Sequence, residues 1–162
     1  LYEHKLEKSE RVLSKDVSAD VVRAMRYVTM KGGTSFRADV PGYTEAGKTS
    51  TSEKIVNGKY SKVDHFSCFI GFTPVTNPRF VIMVGLDEPA YRFLPVLGRT
   101  HYGGKCAAPV FREIAKRSLR VMGVPPDDPH GYPPPDPRYD PEKAAWHKEA
   151  KVLIDAYKSW NK

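Results

Sequence analysis

The sequence predicts an α/β fold of the α+β type, an antiparallel sheet flanked by helices. Three observations carry this expectation. Apolar residues recur at helical spacing at Val17, Val21, Met25 and Val28, and again at Ala107, Val110, Phe111, Ile114, Leu119 and Met122. Between them lie two strand-length runs, HFSCFIGFTPV (65–75) and RFVIMVGLDEP (79–89), rich in aromatic and β-branched residues and bounded by Asn and Pro. The connections are short, Asn57-Gly58 before the first run and Thr76-Asn77-Pro78 between the two. Short connections favour an antiparallel meander, because a parallel pair needs a long crossover.

In chain order, the first helix runs from Val17 to Met30, with Ser14 or Ser18 available as its cap and Gly32-Gly33 as its stop. Pro41-Gly42 then opens a Thr- and Ser-dense segment that ends at the turn dipeptide Asn57-Gly58 and supplies a third strand. A second amphipathic helix, from His101 to Gly123, packs on the sheet. Proline dominates VPPDDPHGYPPPDPRYDP, residues 124–141, which reads as a semi-rigid extended tail. From Glu142 to Trp160 a terminal helix carries Trp146, Leu153, Tyr157 and Trp160 along one side, a stripe expected to dock back on the domain or, alternatively, to bind a partner. The expected organisation is one domain portion over 1–123, a Pro-rich tail over 124–141 and an amphipathic helix over 142–162.

Composition bounds the function classes. At 162 residues and 40% hydrophobic content, the chain can bury one core. Its longest apolar run, Phe80 to Val84, is far below the roughly 20 residues that span a bilayer. No membrane anchor or signal peptide is expected within the chain, and its start at Leu1 suggests a segment of something longer. The net charge of +7 permits attraction to polyanions. However, the basic stripe Arg112, Lys116 and Arg120 lacks interleaved aromatics, so it reads as a solvated face and no nucleic-acid partner is expected. Cys68 and Cys106 read as small core residues, with a disulfide between them as the alternative. The histidines show no ligand spacing, so neither a metal nor another cofactor is expected.

The stretch GYTEAGKTSTSEK, residues 42–54, fits two incompatible patterns. Gly42, Gly47, Lys48 and Thr49 spell the phosphate-binding G-x-x-x-x-G-K-T, while Lys48-Thr49-Ser50-Thr51 is close to the Lys-Thr-Gly-Thr strand of penicillin-recognising serine enzymes. A phosphate loop needs a buried strand before it and a helix after it. Here TSFRADVP precedes and STSEKIVNGKY follows, and neither fits. In a strand, Thr49 and Thr51 share one face and Lys48 and Ser50 the other. Threonine hydroxyls can grip a carboxylate, a lysine makes the local potential positive, and an edge N–H can donate to an oxyanion.

The succession GGT, VPGY, AGKTST, a polar hairpin, HFSCFIGFTPVTNPRFVIMVGLDEP and YGGKCAAPVFREIAKRSL resembles the C-terminal half of class B penicillin-binding protein transpeptidase domains, from about Ser14 to Pro126. The resemblance implies a peptidoglycan D,D-transpeptidase that forms an acyl-enzyme on the serine of an S-x-x-K motif. Lys48 would then be catalytic, tuning the proton network around that serine. Thr49 and Thr51, with Ser50 beside them, would bind the substrate carboxylate, and the Thr51 N–H would complete the oxyanion hole. The implied partners are peptidoglycan stem peptides and β-lactams, the N-terminal remainder of the same protein, and proteins of a cell-division or elongation complex. The implied location is the inner membrane, facing the periplasm, with the anchor absent from this chain.

Two departures accompany the resemblance. The S-x-x-K pattern occurs only at Ser159-Trp160-Asn161-Lys162, after the lysine strand instead of before it, so the chain is expected to lack the nucleophile and to be inactive alone. Ser50 stands where the family has glycine, which predicts an altered fit of substrate or β-lactam. A penicillin-recognising sensor without turnover is the alternative reading, and a serine β-lactamase is a weaker one because the FIGFTP and YGGKCAAPVFREIA stretches do not suit it.

Overall fold

The computed structural model describes residues 10–160. Helix α1 spans Lys15–Thr29, and Ser14 caps it by accepting the Val17 N–H on its hydroxyl at 3.2 Å. Its expected apolar face is covered only at its C-terminal end, where Met25 is half-buried and Val28 packs against the core. Val17 and Val21 are about half exposed, whereas Arg26 and Thr29 are buried. The guanidinium goes inward because a buried carboxylate and carbonyl, both of Glu45, wait for it there.

After a short 3-10 turn at Phe36–Ala38, strands β1 (Ala46–Val56), β2 (Lys59–Thr73) and β3 (Phe80–Asp87) form the expected antiparallel meander, in spatial order β1-β2-β3. Asn57 and Gly58 both take positive φ, 51° and 76°, the geometry that a two-residue hairpin turn requires. Pairing of β1 with β2 is regular from Ala46↔Phe72 to Glu53↔His65, shifts register between Glu53 and Ile55, and resumes at Ile55↔Tyr60. The irregularity places the extra residues on β2. A small ribbon of β4 (Phe93–Leu94) and β5 (Gly98–Arg99) follows.

The expected second helix is divided into α2 (Gly103–Cys106) and α3 (Ala108–Val121). Pro109 explains the break, since it lacks an N–H and is tolerated in the first turn of a helix but not inside one. Helix α3 buries Phe111, Ala115 and Leu119 against one sheet face, where Phe69 meets Phe111 edge-on at 4.8 Å between ring centroids. Ala38, Val40, Val84, Ala107, Ala108 and Val124 complete this core. Both cysteines are free thiols, Cys106 lying against the His101 and Tyr102 carbonyls.

Residues 124–141 do not run as an extended tail. They fold into turns that lie along the approach to β1. Gly42 donates to the Gly131 carbonyl and accepts from the Asp128 N–H, each at 3.0 Å, and Asp127 accepts the Thr44 N–H at 2.7 Å. Proline removes donors but leaves carbonyls and carboxylates free to pair, and these do the holding. Helix α4 (Ala145–Trp160) starts on the Asp128 carboxylate, which accepts the Ala145 N–H at 3.1 Å. In its second turn Glu149 accepts hydrogen bonds from Arg26 and Tyr27 of α1. Ala144 just before α4 is buried, but no residue of the helix is, and Leu153, Tyr157 and Trp160 of the expected stripe are 44%, 65% and 78% exposed. Of the accidental S-x-x-K match, Asn161 and Lys162 lie outside the described residues.

Candidate active site

Gly47, Lys48 and Thr49 lie inside β1, and no helix begins at them, so the phosphate-loop geometry is absent from this stretch. Strand β1 is an edge of the three-stranded sheet. Its lysine stretch is therefore open on the side away from β2, where alternate backbone groups point outward.

Alternation sorts the four expected site residues onto two faces. Lys48 and Ser50 are exposed on one side, while Thr49 and Thr51 are half-buried on the other. The structure therefore brings Lys48 together with Ser50 and Thr49 together with Thr51, but does not gather all four into one cup. Lys48 Nζ donates to the Thr49 carbonyl at 2.6 Å, and Ser50 Oγ lies 3.5 Å from Ser52 Oγ. On the Lys48 face, cross-strand partners run Lys48, Ile70, Met83 and then Ser50, Cys68, Gly85. Ile70 and Met83 are 40% and 60% exposed, so an apolar surface without a covering layer adjoins the lysine.

The Thr51 face is backed by the turn before α2. The Gly103 N–H donates to Thr51 Oγ1 at 3.1 Å, which leaves the hydroxyl hydrogen free to be donated elsewhere. Only glycine permits this approach, since a Cβ at Gly103 would lie 2.2 Å from the Cys68 carbonyl oxygen and 2.6 Å from that of Ser50. Gly104 is equally confined, its Cβ falling 2.1 Å from the Thr34 carbonyl oxygen. The GGT and YGG stretches thus meet behind the strand. Ser67, the cross-strand partner of Thr51, donates to the His101 carbonyl.

Sequence reasoning did not find the histidine stack or the buried titratable groups. His101 lies 4.3 Å from His65 and 4.6 Å from Tyr91 between ring centroids. Burial holds the His101 imidazolium below its ordinary range, and the charges of His65 and Arg99 add to the effect. At the base of β1, Arg26 Nη1 donates to the Glu45 carbonyl at 2.7 Å and lies 3.4 Å from its carboxylate. Burial pushes the Glu45 carboxyl up to about 8, and Asp39 adds to the rise against Arg26, the Val40 N–H and Thr29. Asp39 rises to about 6, again through burial, against Arg112 and Arg26. A cavity of about 280 Å³ opens beside these groups, lined among others by Arg26, Asp39, Glu45, Tyr132 and Trp146. Helical periodicity cannot reveal an inward arginine, although the carboxylates at Asp39 and Glu45 flanking the apolar Val40 were an available signal.

The family model for the penicillin binding protein transpeptidase domain matches residues 2–116. A probable peptidoglycan D,D-transpeptidase PenA from Neisseria flavescens is 38% identical over 122 residues, which is 75% of this chain and 29% of that protein. The apo transpeptidase domain of Burkholderia pseudomallei penicillin-binding protein 3 superposes with a TM-score of 0.62 at 36% identity, covering 74% of this chain and 34% of the other. Penicillin binding protein 3 from Mycobacterium, complexed with ampicillin, gives a TM-score of 0.64 at 31% identity, covering 89% and 31%. The chain thus spans about a third or less of each relative.

Proposed function

The chain belongs to the penicillin-binding protein transpeptidase domain family, and from that premise we propose that it forms the lysine-strand wall of a serine acyl-transfer site that cross-links peptidoglycan. The observation that supports this reading best is the Lys48 face of β1. It presents an exposed ammonium and the Ser50 hydroxyl beside Ile70 and Met83, apolar residues that require a covering layer. The N-terminal remainder of the same protein would supply that layer and, with it, the nucleophile. Residues 1–123 would then be the domain portion, with 124–141 and 142–162 as appended elements.

In this reading a serine Oγ from the remainder attacks the carbonyl of the penultimate D-alanine of a stem peptide. The C–N bond breaks, D-alanine leaves with a proton, and an amine of a second stem peptide displaces the serine. Lys48 lowers the cost of moving the serine proton by placing a positive charge beside it. Thr49 and Thr51, on the other face, would reach the terminal carboxylate around the open edge of β1, where the Thr51 N–H would stabilise the tetrahedral oxyanion. β-Lactams, which offer a strained amide and a carboxylate in similar places, enter the same site and remain as acyl adducts. Such chemistry belongs on the outer face of the cytoplasmic membrane, among division or elongation proteins. No described helix of this chain is long and apolar enough to cross a membrane.

Intact mass spectrometry after incubation with benzylpenicillin tests the reading. The whole protein is expected to gain one acyl adduct and the 162-residue chain none. An adduct on the chain alone would overturn the assignment of the nucleophile to the remainder, and no adduct on the whole protein would overturn the function.

A further inference from the structure

We propose that residues 127–149 act as a strap that sets the position of the lysine strand, with Asp127 and Glu149 as its positioning residues. The catalytic consequence rests on the acyl-transfer reading above, but the mechanical part does not.

The contacts converge on the few residues that lead into β1. Asp127 accepts the Thr44 N–H on Oδ1 at 2.7 Å, and the Thr44 and Thr76 hydroxyls on Oδ2 at 2.5 and 2.9 Å. It thereby ties the approach to β1 to the turn between β2 and β3. Gly42 is bracketed by Asp128 and Gly131, and Tyr132 lies so close that a Cβ at Gly42 would stand 2.4 Å from its hydroxyl oxygen. Glu149 reaches the same place through Arg26. Its carboxylate receives Nε at 3.1 Å and Nη2 at 3.2 Å, while Nη1 of the same guanidinium holds the Glu45 carbonyl. A planar guanidinium fixed at both ends transmits position, because its donors cannot turn independently.

Glu45 immediately precedes β1 and Lys48 is the third residue of that strand, so displacement at Glu45 is carried to the ammonium. Ala144 is the strap's one buried apolar side chain among the described residues, and its ties to the lead-in of β1 are directional polar bonds from Asp127, Asp128, Gly131 and Glu149. Removing one polar partner should therefore loosen the lead-in without emptying the core. The whole strap lies beyond residue 116, where the family match ends.

Amide hydrogen exchange on this chain, comparing wild type with Asp127→Ala and Glu149→Ala, tests the proposal. A hydrogen bond to a charged group holds by enough to make exchange of the β1 amides paired with β2 about tenfold faster once it is lost. The expected result is that acceleration at residues 46–51, with α3 unchanged and Glu149→Gln intermediate because its amide oxygen still accepts from Arg26. Unchanged exchange at 46–51, or equal acceleration in α3, would overturn the strap. If Asp127→Ala fails to fold, the Glu149 variants carry the same comparison. In the whole protein, the same variants should slow acylation by benzylpenicillin about tenfold while its pre-acylation binding constant changes less. A wild-type protein that is not acylated refutes the acyl-transfer reading and leaves exchange to decide the strap. Acylation unchanged in the variants refutes its catalytic consequence.

Discussion

Replacing Gly103 with alanine should separate the strand from the turn that backs it. The added Cβ would lie 2.2 Å from the Cys68 carbonyl oxygen and 2.6 Å from that of Ser50, both backbone atoms that cannot rotate away. The turn before α2 must retreat by roughly 1 Å to relieve this, because the interior has no free volume to absorb it. Such overpacking costs about 1–3 kcal/mol. The same retreat stretches the 3.1 Å bond from the Gly103 N–H to Thr51 Oγ1 beyond hydrogen-bonding range, which adds about 1 kcal/mol. A total near 3 kcal/mol corresponds to a fall in Tm of about 9 °C for a domain of this size. Thermal unfolding followed by far-UV circular dichroism measures it. Gly98→Ala is the control, as Gly98 has φ +70° but no atom within 4 Å of its Cβ, so only backbone strain of about 1 kcal/mol is expected. A Gly103→Ala protein that melts within about 1 °C of wild type would refute the close-approach reasoning.

Glu45 keeps its proton in the fold to about pH 8 but loses it near 4.5 when unfolded, so the folded state binds the extra proton between those values and stability falls as pH rises through that window. Urea midpoints should drop between pH 6 and 8.5, and Glu45→Gln should flatten the drop; a wild-type midpoint that rises instead would reverse the assignment. Phe69→Ala empties the centre of the core beside Phe111 and should cost about 3–5 kcal/mol in the same urea assay, and a loss below about 1 kcal/mol would mean that Phe69 is not the core centre. Ser50→Gly removes a hydroxymethyl from the Lys48 face and should change acylation of the whole protein about fivefold, in a direction that depends on the β-lactam side chain. Equal rates with every β-lactam tried would show that Ser50 does not border the bound ligand.

The meander was legible because its signals are local. Asn57-Gly58 fixes a turn by backbone conformation alone, and the 65–75 and 79–89 runs carry their strand character in composition. The opposite faces of Lys48 and Thr49 likewise follow from alternation, without tertiary information. What stayed hidden depends on partners distant in sequence. Arg26 counts as polar in any helical wheel, and only Glu45 and Glu149 explain why it is buried. The proline-rich segment gave no sign of its path, since Asp127 and Asp128 read as ordinary turn residues until Thr44 and Ala145 are brought to them. Gly103 was visible as part of YGG, but its role as donor to Thr51 required the packing of α2 on the sheet.

The register shift in the hairpin has a consequence for how this chain can vary in length. Side-chain direction reverses with every residue, so deleting or inserting one residue between Ala46 and Glu53 would swap the outward set with the inward set and turn Lys48 toward the core. Beyond Glu53 the pairing is already irregular, and the three additional β2 residues between Tyr60 and His65 are surplus to the ladder. Length changes should accumulate there, at the far end of the hairpin, where a gained or lost residue alters the tip and leaves the orientation of the lysine untouched.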